Sequence, residues 1–274
     1  MRIKYVTLCI ALTVLFTARP AGGQVFCIPV DESEAEADLD ALAACLAATT
    51  TPFGALPTTL PASWLGGQNT GVGFNFLFGS MSEEGDAGRR NFGVGIDIPM
   101  GRASLGLTGG LVDFTCDAGG ANVECKSAFM LGARFAAPLV ANPVGEAGQS
   151  FIMGLNASAG FSNGDMISIN EGGLSLDVGG RGLSVGVGVP VGLVARSGTV
   201  TITPFVEPAF FWGRTTFDVG GTVEGEESES GTGFALGGGV SFGLANGLAF
   251  DVGFKKVMVD EANALIGLGI RFQR

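Results

Sequence analysis

Histidine is absent from this chain of 274 residues, which removes the side chain most often used for proton transfer near neutral pH. Asp or Glu could act only as a tuned pair, and no paired-carboxylate motif stands out, so catalysis is not expected. Charge of one sign is also scarce. Lys and Arg number 15 against 26 Asp and Glu, giving a net charge of −11. Phosphate backbones are bound by clustered cations, so nucleic acid is excluded as a partner. Long apolar runs are missing as well: after the first segment nothing approaches the roughly 18 continuous apolar residues of a membrane helix. Two glycine-rich stretches, GFALGGG and GVGVPVG, lie inside strand-like patterns and lack the strand-to-helix junction of a phosphate-cradling loop, so no cofactor is expected.

The chain does carry a secretory start. Arg2 and Lys4 precede an apolar run from Tyr5 to Phe16 and a small-residue exit at Ala21-Gly22-Gly23, which predicts a signal peptide over 1–23. Gln24-Val25-Phe26 before Cys27 does not make a lipobox, so the mature chain starts at Gln24. Loss of Arg2, Lys4 and Arg19 takes the net charge from −11 to −14. Four cysteines remain, and an even count in an exported chain predicts two disulfides, Cys27 with Cys45 and Cys116 with Cys125. Without histidine, and on an oxidising route, they are not expected to hold a metal.

Mean hydropathy is +0.42 although no long apolar run exists, and glycine accounts for 47 residues. Each glycine would weaken a helix by about 1 kcal/mol relative to Ala, so a helical membrane bundle is disfavoured. A barrel reconciles both facts, because apolar side chains alternate with small or polar ones along each strand. The alternation is explicit in GVGFNFLFG, where Val72, Phe74, Phe76 and Phe78 share one face and Gly73 and Asn75 the other. It returns in NFGVGIDIP, in LSVGVGVPVGL, and in ALIGLGIRF with Ile266, Leu268, Ile270 and Phe272 on one side. The predicted fold is all-β, a transmembrane up-and-down antiparallel barrel over 65–274.

Ten segments are expected, near 70–80, 91–99, 102–115, 125–138, 150–162, 181–195, 199–214, 232–244, 247–257 and 263–273, with eight as the alternative. Tight joints at Met100-Gly101, Arg196-Ser197-Gly198 and Ala245-Asn246-Gly247 alternate with longer polar connections, the asymmetry of periplasmic turns and external loops. The sequence from ISIN through Glu171-Gly172-Gly173 to LSLDV reads as a projecting hairpin tip. Residues 24–64 form a periplasmic extension. It holds one short helix between Asp31 and Ala47, with acids in its first turn, and an uncharged, proline-bearing linker over 49–64.

These residues resemble the small bacterial outer-membrane β-barrel superfamily, the OmpA/OmpX-like and porin-family barrels. The resemblance covers 65–274 and rests on the secretory start, the aromatic-Gly alternation, the segment TPFVEPAFFWG and the closing strand with Phe272. It implies a monomer in the outer membrane, in contact with its lipid and lipopolysaccharide and inserted by the barrel-assembly machinery. Gln273 and Arg274 follow the closing aromatic here, and Trp64 and Trp212 stand alone in a mature chain without tyrosine.

Six charges are expected to face the lumen: Asp97, Arg134, Glu207, Asp251, Lys255 and Arg271. Equal numbers of each sign suit ion pairs that fill a narrow interior, and the rival reading is a polar lining for a small pore. Inward glycines leave space that water or the N-terminal helix could occupy. Acidic runs from Asp31 to Asp40 and from Glu224 to Glu229, with Glu83, Glu84 and Asp86, are read as solvated, with cation bridging to lipopolysaccharide as the alternative. The expected function is a non-enzymatic barrel with a structural or narrow-pore role, against a surface interaction protein presenting external loops. A soluble lipocalin-like carrier would instead turn its apolar face inward.

Overall fold

The computed structural model describes residues 51, 56, 59–60, 72–82, 88–115, 123–144, 149–171, 174–221, 225–258 and 264–273. Its strands are β1 (Gly73–Ser82), β2 (Gly88–Met100), β3 (Ala103–Thr115), β4 (Val123–Cys125), β5 (Ser127–Pro143), β6 (Gln149–Glu171), β7 (Leu174–Gly188), β8 (Val191–Ser197), β9 (Val200–Gly221), β10 (Gly225–Leu244), β11 (Leu248–Val257) and β12 (Ala264–Gln273). No helix occurs among the described residues.

All pairings are antiparallel, and β1 closes the sheet on β12 with Phe74 opposite Phe272. Strands β7 and β8 both pair with β6 on one side and β9 on the other, so they are two parts of one wall strand interrupted at Val189-Pro190. Two hydrogen bonds hold the interruption, from Gly154 N to the Pro190 carbonyl and from Val189 N to the Pro208 carbonyl, each 3.0 Å. The short β4 leaves the wall path and pairs with the far part of β6. The closed wall therefore has ten strands, not eight.

One end of the barrel is closed by tight turns in which Gly101, Gly198 and Gly247 take φ of 67°, 60° and 86°. That left-handed region strains any residue with a Cβ, which explains glycine at each joint. Both ends of the wall, Gly73 and Gln273, lie opposite each other at this turn end. The connection from β5 to β6 is longer, and Val144 N bonds the Gln149 carbonyl across it. At the loop end β6 and β7 pair out to Glu171 and Leu174, as the expected projecting hairpin requires. A second projection was not expected. Residues 217–231 read as a loop in the sequence, but β9 runs to Gly221 and β10 starts at Gly225, so Glu226, Glu227 and Glu229 stand on a strand. Thr and Ser on alternate positions, such as Thr216 and Ser228 joined by a 2.7 Å hydroxyl contact, sustain pairing without an apolar face.

The two faces of the wall are inverted relative to a soluble barrel. Phe74 and Phe234 are 56 % and 63 % exposed, and Val94, Leu131, Val185, Phe210, Ile266 and Leu268 are also exposed on the outside. Asn75, Asp97, Glu207, Asp251, Lys255 and Arg271 are buried within. Edge-to-face ring pairs on that outer surface, Phe76 with Phe272 at 6.3 Å and Phe210 with Phe234 at 5.3 Å, join neighbouring strands. A water-soluble carrier cannot leave such a continuous apolar belt in water, so the lipocalin-like alternative falls and the belt marks the membrane-spanning zone.

Candidate functional site

The lumen is built from alternate residues of every wall strand, and the six sequence-identified charges divide among them. Asp97 comes from β2, Arg134 from β5, Glu207 from β9, Asp251 and Lys255 from β11, and Arg271 from β12. Arg271 and Asp251, each with a side chain 2 % exposed, form a side-on fork with Nε to Oδ2 at 2.6 Å and Nη2 to Oδ1 at 2.8 Å. Nη2 also donates to Ser241 Oγ at 2.8 Å. A planar guanidinium satisfies several acceptors at once, which is why arginine and not lysine suits so enclosed a position. Higher in the barrel, Arg134 Nη2 meets Asp97 Oδ1 at 3.2 Å, and Asn75 donates to Asp97 Oδ2 at 2.7 Å. Glu207 accepts from Asn156 Nδ2 at 2.8 Å.

Both arginines hold something beyond their carboxylates. Arg271 Nη1 donates to the Leu60 carbonyl, and Arg134 Nη1 donates to the Thr59 carbonyl at 2.7 Å and to Thr59 Oγ1 at 3.2 Å. Leu60, 0 % exposed, packs with Ala136, Ile152, Val194 and Phe205. Leu56 packs with Leu77, Val112, Phe114, Ala128 and Met130, and lies so close to Gly93 that a Cβ there would stand 2.7 Å from its Cδ1. Thr51 Oγ1 and Ser184 Oγ are 2.6 Å apart. The described residues between 51 and 60 therefore lie inside the wall, whereas the sequence placed 24–64 beneath it. At the inward Gly93 the space a Cβ would need is taken by Leu56. The expected helix of residues 31–47 lies outside the described residues, as does the signal peptide.

Among the described residues, a cavity of about 80 Å³ is lined by Asp97, Arg134, Asn156, Glu207 and Lys255. That is room for a few waters and far below the several hundred Å³ of a typical small-molecule site. Asn75 Oδ1 and Asn156 Oδ1, which have no hydrogen-bond partner among the described residues, belong to residues on its wall. Sequence reasoning missed Thr51, Leu56, Thr59 and Leu60. The available signal was the linker's lack of any charge over sixteen residues from 49 to 64, unusual for a segment expected in water.

The inverted faces, the ten antiparallel strands and the turn-and-loop asymmetry together decide the architecture. The fold is that of the small bacterial outer-membrane barrels. Similar solved structures include the outer membrane protease OmpT of Escherichia coli, at 8 % identity and TM-score 0.45 over 79 % of this chain and 99 % of that one. The translocator domain of the autotransporter NalP of Neisseria meningitidis is similar at 13 % identity and TM-score 0.38, over 76 % and 91 %. Ail, the attachment invasion locus protein of Yersinia pestis, is similar at 14 % identity and TM-score 0.29, over 74 % and 99 %. Such low identities carry no residue role from one chain to another. No family model matches the chain, and no curated protein sequence matches it.

A separate polar knot lies at the loop end, outside the apolar belt. Lys126 Nζ sits 3.2 Å from Asp177 Oδ1 and 3.6 Å from Asp165 Oδ2, and Ser168 Oγ donates to the same Asp177 oxygen. The Ser168 hydroxyl, then the Lys126 ammonium, hold the Asp177 carboxyl below its ordinary 3.8, and the bond to Asp177 raises Lys126 above 10.5. A lowered acid contributes fully above its unfolded value and is lost as pH falls through the folded one; a raised base is the reverse. The knot is thus complete between 3.8 and 10.5 and weakens below and above that window. Amide exchange at Val123–Cys125, on β4 beside Lys126, is expected to accelerate as pH drops below 3.8, after correction for the intrinsic rate, and Asp177→Asn should abolish that acceleration. An identical profile in the variant would separate the knot from β4 docking. Cys125 lies on β4 while Cys116, Cys27 and Cys45 lie outside the described residues, as do Glu83, Glu84, Asp86 and Glu224.

Proposed function

We propose that this chain is a non-enzymatic outer-membrane barrel with a structural role, whose lumen is closed by its own N-terminal segment and conducts only narrowly when that segment leaves. The observation that carries this reading is the seating of the Thr59 and Leu60 carbonyls on Arg134 and Arg271. Main-chain carbonyls satisfy guanidinium donors without adding charge, so the plug completes the lumen while its ion pairs stay balanced. The absence of histidine in the chain supports a non-enzymatic role. Lipid and lipopolysaccharide at the belt, insertion by the barrel-assembly machinery and a monomeric state complete the proposal.

Planar-bilayer recording tests it. The intact protein is expected to be silent, and Leu56→Asp/Leu60→Asp, which puts carboxylates into two buried clusters, is expected to open steps of small conductance. Steady conductance from the intact protein would refute closure, and silence from a variant that still shows a heat-modifiable band would remove the pore and leave the structural role.

A second reading, a surface interaction protein, is favoured by the β6–β7 and β9–β10 hairpins that run beyond the belt. Removing residues 217–231 without loss of binding to host cells would count against the second hairpin as the site.

A further inference from the structure

We propose that the wall opens sideways at Val189-Pro190 and admits the head of a single-chain amphiphile, an uncharged long-chain alcohol in its simplest form, from the bilayer into the lumen. The proposal goes beyond the structural role above and does not depend on conduction along the barrel axis.

The opening follows from hydrogen bonds that proline removes. Register is the same on both sides of the interruption, with Asn156 opposite Gly188 and Met153 opposite Val191, so Gly154 stands opposite Pro190. On the other edge Gly188 faces Ala209 and Val191 faces Val206, so Val189 stands opposite Pro208. A bonded pair in an antiparallel ladder exchanges two N–H···O=C bonds. Here each pair has one, from Gly154 N to the Pro190 carbonyl and from Val189 N to the Pro208 carbonyl. The return bonds cannot form, because Pro190 and Pro208 have no N–H. Bonded pairs recur at every second residue, so on either edge a single bond spans the four residue steps, about 14 Å, between the neighbouring bonded pairs. Swinging the segment outward therefore breaks two bonds where an ordinary strand would break four. Beside it, β5 shifts register after Pro138, which lies opposite Gly154.

The segment faces lipid on one side and the cavity on the other. Val189 and Pro208 are exposed side by side on the outer face, with Val187 loopward and Leu193 turnward of them, also exposed. A carbonyl that loses its ladder donor at this depth finds no water, which raises the energy of the closed wall relative to the opened one. On the lumen side Gly154 has no side chain, Glu207 stands opposite Pro190, and a Cβ on Gly188 would lie 2.5 Å from Glu207 Oε1. Among the described residues the cavity here is lined by Asn156, Gly188 and Glu207 and measures about 80 Å³, enough for a hydroxymethyl group. Its charges, Asp97 and Glu207 against Arg134 and Lys255, balance, so a charged head would upset them. Asn75 Oδ1 and Asn156 Oδ1 have no hydrogen-bond partner among the described residues and call for a donor. An alcohol supplies that donor while its chain stays among the lipid tails.

The test places the full chain in vesicles of phosphatidylethanolamine and phosphatidylglycerol with dodecanol that carries a diazirine beside the hydroxyl carbon. After illumination, adducts are mapped by peptide mass spectrometry. Adducts on the cavity residues Asn156 or Ser158 are expected besides those on outward Val185 and Phe210, and an excess of plain dodecanol should remove the lumen set. Pro190→Ala/Pro208→Ala returns both N–H donors and should lower the lumen adducts about tenfold, the effect of two hydrogen bonds of ordinary net strength, with the outward set unchanged. In a second variant, Leu155→Cys/Val189→Cys, the two residues face each other across the gap in a non-bonded pair, whose spacing of about 4.5 Å a disulfide can bridge. Oxidation of this staple should abolish lumen adducts and reduction should restore them, with the wild type treated alike as the control. Adducts confined to outward residues overturn the proposal. So do lumen adducts that the alanine pair or the oxidised staple leaves unchanged, since they mark entry along the axis.

Discussion

Arg271→Leu is expected to lower the free energy of unfolding in detergent micelles by about 3–5 kcal/mol, the cost of leaving one member of a buried ion pair uncompensated. Asp251 keeps its charge in a site where its side chain is 2 % exposed, and loses both nitrogen donors of the fork. Ser241 and the Leu60 carbonyl lose a donor in the same substitution. Asp251→Leu/Arg271→Leu should recover most of the loss, since replacing a buried pair by apolar groups is often neutral or stabilising. Urea midpoints of the wild type, both single variants and the double variant close the cycle. If Arg271→Leu costs less than about 1 kcal/mol, water reaches the fork and the lumen is not closed at this level. That outcome would also weaken the reading of Leu60 as part of the closure.

The wall was legible because its information is local. In GFNFLFG each Phe differs from its neighbour by the whole contrast between lipid and lumen, so the period of two survives without any knowledge of partners. Strand number followed from turn chemistry, where Gly101, Gly198 and Gly247 mark joints only glycine enters easily. The hairpin of β9 and β10 was hidden for the opposite reason. Beyond the membrane both faces meet water, and a strand such as GEESESG loses the contrast on which alternation depends. Lumen charges such as Asp97 and Asp251 could be found one at a time, from their place on the polar face. Their pairing could not, because Arg271 meets Asp251 across strands that the sequence separates by 20 residues. Least visible was the plug. Leu60 meets Arg271 through a main-chain carbonyl across 211 residues, and every amino acid supplies that acceptor.

Gly110→Ala and Gly239→Ala are expected to cost more than about 3 kcal/mol each, beyond ordinary overpacking, and to abolish the heat-modifiable band. At Gly110 a Cβ would stand 2.1 Å from the Phe92 carbonyl oxygen and 2.9 Å from Gly93 Cα. At Gly239 the corresponding distances are 2.2 Å to the Val252 oxygen and 2.8 Å to Gly253 Cα. All four obstacles are backbone, so no side-chain rotation relieves them. The strands must part, and within the bilayer an opened N–H or C=O finds no water, which costs several kcal/mol per group. Gly243 supplies the control, since a Cβ there would meet Thr201 Cβ at an ordinary 3.7 Å and Gly243→Ala should stay within about 0.5 kcal/mol. Gly93 differs in kind, because the nearest obstacle is the end of the Leu56 side chain, and a methyl group there presses on the plug and not on the wall. If Gly110→Ala folds with an unchanged midpoint while Gly93→Ala does not, the close approach lies between wall and plug, and these paired glycines have another role.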